Sequence, residues 1–81
     1  MRDMKRIGEI IQYTSRLAYA GEWETLDEYV RSFDYAHEEP VFTIAVLRST
    51  YAMRTKLRYW KDAVQRASLH CSPRELQGLL D

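Results

Sequence analysis

Cysteine, proline and glycine are all scarce in this sequence. A single cysteine, Cys71, excludes an intrachain disulfide. The three glycines, at positions 8, 21 and 78, are too scattered to form a phosphate-cradling loop. Long hydrophobic runs are missing too, and none approaches the ~18–20 apolar residues that span a bilayer. The charged start, Met1 to Arg6, is not followed by the apolar stretch of a secretory signal. Net charge is absent as well, since 12 Lys+Arg offset 12 Asp+Glu. These absences point to a cytoplasmic chain, without a membrane partner, that holds itself together by packing alone.

What is present must therefore do the work of a core. The 81 residues are 46% hydrophobic and 30% charged, the profile of a soluble globular domain. One domain spanning 1–81 is expected. Surface scaling gives about 5,100 Å² folded against about 13,900 Å² unfolded. That is close to the size below which a core rarely supplies more than ~3–5 kcal/mol without a staple. Two tryptophans, two phenylalanines and six tyrosines offset the small size, because each ring buries on the order of 150–250 Å². Self-association is the other compensation.

Hydrophobic spacing reads as helix throughout. Met4, Ile7, Ile11 and Leu17/Ala18, widened by Ile10, give an amphipathic helix over Asp3–Ala20 that ends at Gly21. Trp23, Leu26, Val30 and Phe33 follow 3, 4, 3 spacing over about Glu22–Asp34. Pro40 reads as the first residue of a third helix, apolar on nearly every face from Val41 to Leu47 and so central. One stripe then continues through Phe42, Val46, Ser49, Met53, Leu57, Trp60, Val64 and Ala67. It permits either an unbroken helix about 45 Å long or a break near Arg54–Leu57, where Ser49, Thr50, Tyr51 and Thr55 are weak helix formers. Ser72-Pro73-Arg74-Glu75 is a capping box with Pro at the first helical position, opening a short last helix carrying Leu76, Leu79 and Leu80. The expected fold is all-α, a small single-domain bundle of four or five helices. Its expected core is Ile7, Ile11, Leu17, Trp23, Leu26, Val30, Phe33, Ile44, Val46, Leu57, Trp60, Val64 and Leu76.

The neutral total hides a strong asymmetry. Residues 1–20 carry +2, residues 21–39 carry −6, residues 40–70 carry +5 and residues 71–81 carry −1. The simplest reading packs the −6 and +5 segments as antiparallel neighbours with complementary charges. The functional reading offers an acidic face, Glu24, Asp27, Glu28, Glu38 and Glu39, or a basic one. Arg54, Arg58 and Lys61 share a helical stripe at i, i+4 and i+7, and Tyr51 and Leu47 fall close to it. Aromatic and Arg side chains are the types that dominate protein interfaces, so Tyr51, Arg54, Arg58, Tyr59 and Lys61 are the candidate partner-binding residues.

Motifs for chemistry are missing. His37 with Glu38 and Glu39 is a run of adjacent residues, and His70-Cys71 has no partner at metal-ligand spacing. No nucleophile elbow occurs. No metal, cofactor or catalytic residue is expected. Leu76-Gln77-Gly78-Leu79-Leu80 matches a short groove-docking peptide, but folding onto the chain's own core is the better reading. The expected function is a non-enzymatic protein-interaction module. It would be a small adaptor, regulator or inhibitor, of phage or mobile-element type, that occupies a partner protein's surface. The alternative is a nucleic-acid-binding regulator using Arg48, Arg54, Lys56, Arg58, Lys61 and Arg66. A two-fold homodimer is also expected. Its grounds are the small core, the all-round apolar third helix, the charge asymmetry and the projecting end of a long helix.

Overall fold

The computed structural model describes residues 2–79. It contains α1 (Arg2–Tyr19), α2 (Trp23–Ser32), α3 (Pro40–Thr50), a 3₁₀ segment (Tyr51–Lys56) and α4 (Trp60–Ala67). No strand occurs among the described residues. The all-helical single domain expected from the sequence is the fold observed.

Helix ends obey local chemistry. Gly21 adopts φ +70°, and the amides of Gly21 and Glu22 donate to the carbonyls of Ala18 and Leu17 at 3.0 and 2.9 Å. That pair of bonds is the Schellman arrangement, which needs a left-handed residue at this position. Pro40 opens α3 as anticipated. At the C-terminus the reciprocal capping box also forms. The Ser72 amide donates to Glu75 Oε1 at 2.7 Å, and the Glu75 amide donates to Ser72 Oγ at 3.2 Å. Beyond this box the chain makes a series of turns rather than the expected helix. Gly78, at φ +87°, ends the run before a helical ladder is established. Leu76 and Leu79 are nonetheless buried, so this part of the leucine motif folds onto the core; Leu80 lies outside the described residues.

The long stripe breaks, so an unbroken Phe42–Ala67 helix, and the projecting end it would supply to a dimer, is excluded. The chain tightens to 3₁₀ after Thr50 and turns at Leu57, which is extended at φ −108°, ψ 120°. Two hydrogen bonds lock the fold-back. Trp60 Nε1 donates to Thr50 Oγ1 at 3.0 Å, and that hydroxyl donates to the Val46 carbonyl at 2.7 Å. Closing the turn this way brings α4 back onto α2 and α3 and keeps the stripe's apolar residues inside.

α3 is central, with Phe42, Thr43, Ala45, Val46, Leu47 and Thr50 all buried. α1 lies along it in the same direction. The Arg6 guanidinium sits 4.3 Å over the Phe42 ring, and the Thr14 and Ser49 hydroxyls meet at 3.0 Å. Leu17, Leu26, Val30, Phe33, Val46, Leu57, Trp60, Val64 and Leu76 are buried as expected. Ile11 is not: it is 47% exposed. Ile7, Trp23 and Ile44 are only partly covered. α1 instead turns Ile10, Thr14 and Leu17 inward, a 4, 3 spacing as regular as that of Ile7 and Ile11. The neighbouring α3 chose between the two adjacent stripes.

The charge asymmetry is not resolved as antiparallel complementarity. α2 and α4 run in the same sense. The Asp27 carboxylate accepts from the Tyr59 amide at 3.0 Å, and the Arg31 carbonyl accepts from Arg66 at 2.5 Å. Both contacts pair a side chain with backbone. No ion pair joins the −6 and +5 segments among the described residues; Arg6 from α1 takes Glu38 instead.

Candidate functional site

The fold-back at Thr50 builds a groove between the 3₁₀ segment, α4 and the C-terminal turns. Its lining is Arg54, Thr55, Trp60, Lys61, Val64, Gln65 and Leu79, and its volume is about 400 Å³. Trp60, Val64 and Leu79 are almost wholly buried and form the apolar floor. Tyr51 stacks on Trp60 with ring centroids 5.7 Å apart and planes at 20°. The Arg54 guanidinium lies 3.8 Å over the Tyr51 ring and donates to the Tyr51 carbonyl at 2.9 Å. Arg54, Tyr51 and Trp60 are thus a continuous stack, which holds a long flexible side chain in place by cation–π attraction. Lys61 supplies a second cation at the rim. Neither cation has a carboxylate partner among the described residues. Chemically, the groove suits an apolar side chain with an acidic group beside it.

Three of the five candidate partner-binding residues, Tyr51, Arg54 and Lys61, therefore gather around Trp60. They do so through tertiary packing, not through a shared helical stripe, because the helix that would align Arg54, Arg58 and Lys61 is broken. Arg58 lies exposed in the turn before α4. Tyr59 faces α2, where the Arg31 guanidinium sits 5.0 Å over its ring. Trp60 itself reads from the sequence only as core, since its spacing gives no sign that one edge floors a groove.

The chain matches no family model and no curated protein, and its fold matches no solved structure.

The acidic residues do not form one face. Glu24 and Glu28 flank a shallow groove with Tyr13 and Tyr29. Asp27 is engaged with the Tyr59 amide. Glu38 pairs with Arg6, whose Nη1 donates to Oε1 at 2.9 Å, and this bond holds the Glu38 carboxyl below its ordinary range. Glu39 precedes α3 beside Asp3, Lys5 and Arg6. The six basic residues of the 40–70 segment are dispersed as well. Arg48 is exposed on α3 at the rim of the α1/α3 groove, Lys56 covers Trp23 at 4.7 Å, and Arg66 reaches α2.

Reactive groups lie apart from the groove. Cys71 is buried, and desolvation pushes its thiol up, away from the thiolate form that attacks or ligates. His37 bonds Asp34 at 3.0 Å on an exposed surface and lowers that carboxyl. No cluster of three or more His, Cys, Asp or Glu suited to a metal ion occurs among the described residues.

A second groove of about 420 Å³ runs between α1 and α3, lined by Ile7, Ile11, Val41, Ile44, Ala45, Arg48 and Ser49. Met4 is 67% exposed and Val41 40%, so this face of the bundle is largely apolar and uncovered. Sequence spacing missed it because Ile7 and Ile11 read as core.

Proposed function

We propose that this protein is a non-enzymatic interaction module of the adaptor, regulator or inhibitor class. It holds a partner protein's segment in the Trp60 groove. The observation that carries this reading is the pairing of an apolar floor with the rim cations Arg54 and Lys61. A partner segment presenting Leu, Ile or Phe beside Asp or Glu matches both features. Burying the apolar side chain supplies affinity, and pairing its carboxylate selects the segment and speeds encounter. The stack of Arg54 on Tyr51 and Trp60 preorganises the rim, which lowers the ordering cost of binding.

Selection from a random peptide display library tests this. Enriched peptides are expected to combine an acidic residue with a large apolar one. Their binding should fall at least tenfold in the Arg54→Glu, Lys61→Glu double variant while helical content is retained. Peptides without acidic residues, or binding unchanged in the double variant, would overturn the reading. Nucleic acid is the opposite outcome: tight binding to duplex or single-stranded DNA that weakens steeply with salt.

A further inference from the structure

We infer that, in the absence of a partner, the Trp60 groove takes the chain's own Leu80–Asp81 pair, so that a partner segment binds by displacing it. The inference rests on the partner-binding reading of the groove and adds its regulation. Three observations bear on it.

The first is where the chain leads. Leu79 lines the groove and is buried. The next two residues in the sequence are Leu80 and Asp81, which lie outside the described residues. Gly78 sets the approach. Its φ of +87° is a left-handed turn, which glycine adopts without strain. A side chain added there would meet nothing within 4 Å, so backbone direction, not space, calls for glycine. The Leu79 amide then donates to the Leu76 carbonyl at 3.0 Å.

The second is reach. Arg54 and Lys61 line the same groove as Leu79. Two residues extend about 7 Å beyond Leu79, and a compact space of about 400 Å³ is about that wide.

The third is chemistry. Leu80 and Asp81 are an apolar side chain followed by an acid, the combination that suits this floor and rim. Arg54 and Lys61 have no carboxylate partner among the described residues. Leu76 and Leu79, the first two leucines of the groove-docking motif, are spent on the core, which leaves Leu80 for the groove. A short tether holds such a pair at an effective concentration in the millimolar range, so even a weak contact competes. A partner's apparent affinity is then scaled down by the fraction of molecules whose groove is open.

The test compares the full chain with its Leu80→Ser, Asp81→Asn double variant. A display-selected peptide carrying Asp beside Leu should bind the double variant at least threefold more tightly by titration calorimetry. Asp81→Asn alone, which conserves shape, should give part of that gain. Without peptide, the nuclear magnetic resonance signals of Arg54, Lys61 and the Trp60 ring should shift between wild type and double variant, although these residues are distant in sequence. Equal peptide affinities, or unmoved signals at those three residues, overturn the inference and leave the partner-binding reading standing. Peptide binding to neither form overturns that reading, and the resonance shifts then decide self-occupancy alone.

Discussion

The Tyr35 hydroxyl donates to the Val30 carbonyl across 2.5 Å inside the core. Val30 sits in the last turn of α2, where carbonyls lack helical partners. Tyr35 thus satisfies a buried acceptor while its ring, 1% exposed, packs on Phe33 with centroids 5.2 Å apart. Arg66 serves the next carbonyl, that of Arg31, from above the same ring.

Alkaline stability should depend on that phenol. Burial pushes its ionisation well above the ordinary tyrosine value. A raised folded value means full stability below about pH 10 and a loss as pH rises beyond it, because only the unfolded chain releases the proton easily. Tyr35→Phe should cost about 1–3 kcal/mol at neutral pH by orphaning the Val30 carbonyl. It should also flatten the decline above about pH 10. Urea unfolding across that range measures both.

Thr50 is the single hydroxyl that ties α3 to Trp60. Thr50→Val keeps the shape and removes the hydroxyl's bonds to Trp60, Val46 and Leu47, leaving the indole N–H without a partner. The expected cost is about 1–3 kcal/mol, with a shift in tryptophan emission. Trp60→Ala should cost about 3–5 kcal/mol through lost packing and abolish groove binding. Thr50→Val should leave the groove lining in place, so calorimetric unfolding and peptide binding respond differently to the two variants.

Thr43 makes the opposite case. Its side chain is fully buried in α3, and its hydroxyl has no hydrogen-bond partner. Thr43→Val removes an unpaired polar atom at nearly constant shape. Stability should rise, by about 1 kcal/mol, read as a higher midpoint in urea at unchanged slope.

Acid should loosen the α1 contact with the loop before α3. Arg6 holds the Glu38 carboxyl low, chiefly by hydrogen bonding. A lowered folded value means stability present above the ordinary glutamate range and lost as pH falls through and below it. The Arg6 and Glu38 side chains are 41% and 27% exposed. The effect is therefore about 0.2–1 kcal/mol after solvent screening. Glu38→Gln should remove that acid dependence and the sensitivity to added salt, measured by thermal unfolding between neutral and acidic pH.

The sequence by itself determined the local rules. The 3.6-residue spacing, Gly21, Pro40 and the Ser72–Glu75 box act through bonds and dihedrals within a few residues, so they carry the helical class and the ends of the first three helices, although the box caps a run of turns and not the expected helix. Weak helix formers around Thr50 likewise mark where the third helix fails. Tertiary structure alone decided which of two adjacent stripes on α1 turns inward, because Ile7/Ile11 and Ile10/Thr14/Leu17 are equally regular and only contact with α3 separates them. It also decided that Arg54 and Lys61 meet at Trp60 while Arg58 and Tyr59 part from them. That grouping depends on the direction in which the chain leaves Leu57, set by a hydrogen bond between residues ten positions apart, beyond the reach of any local pattern.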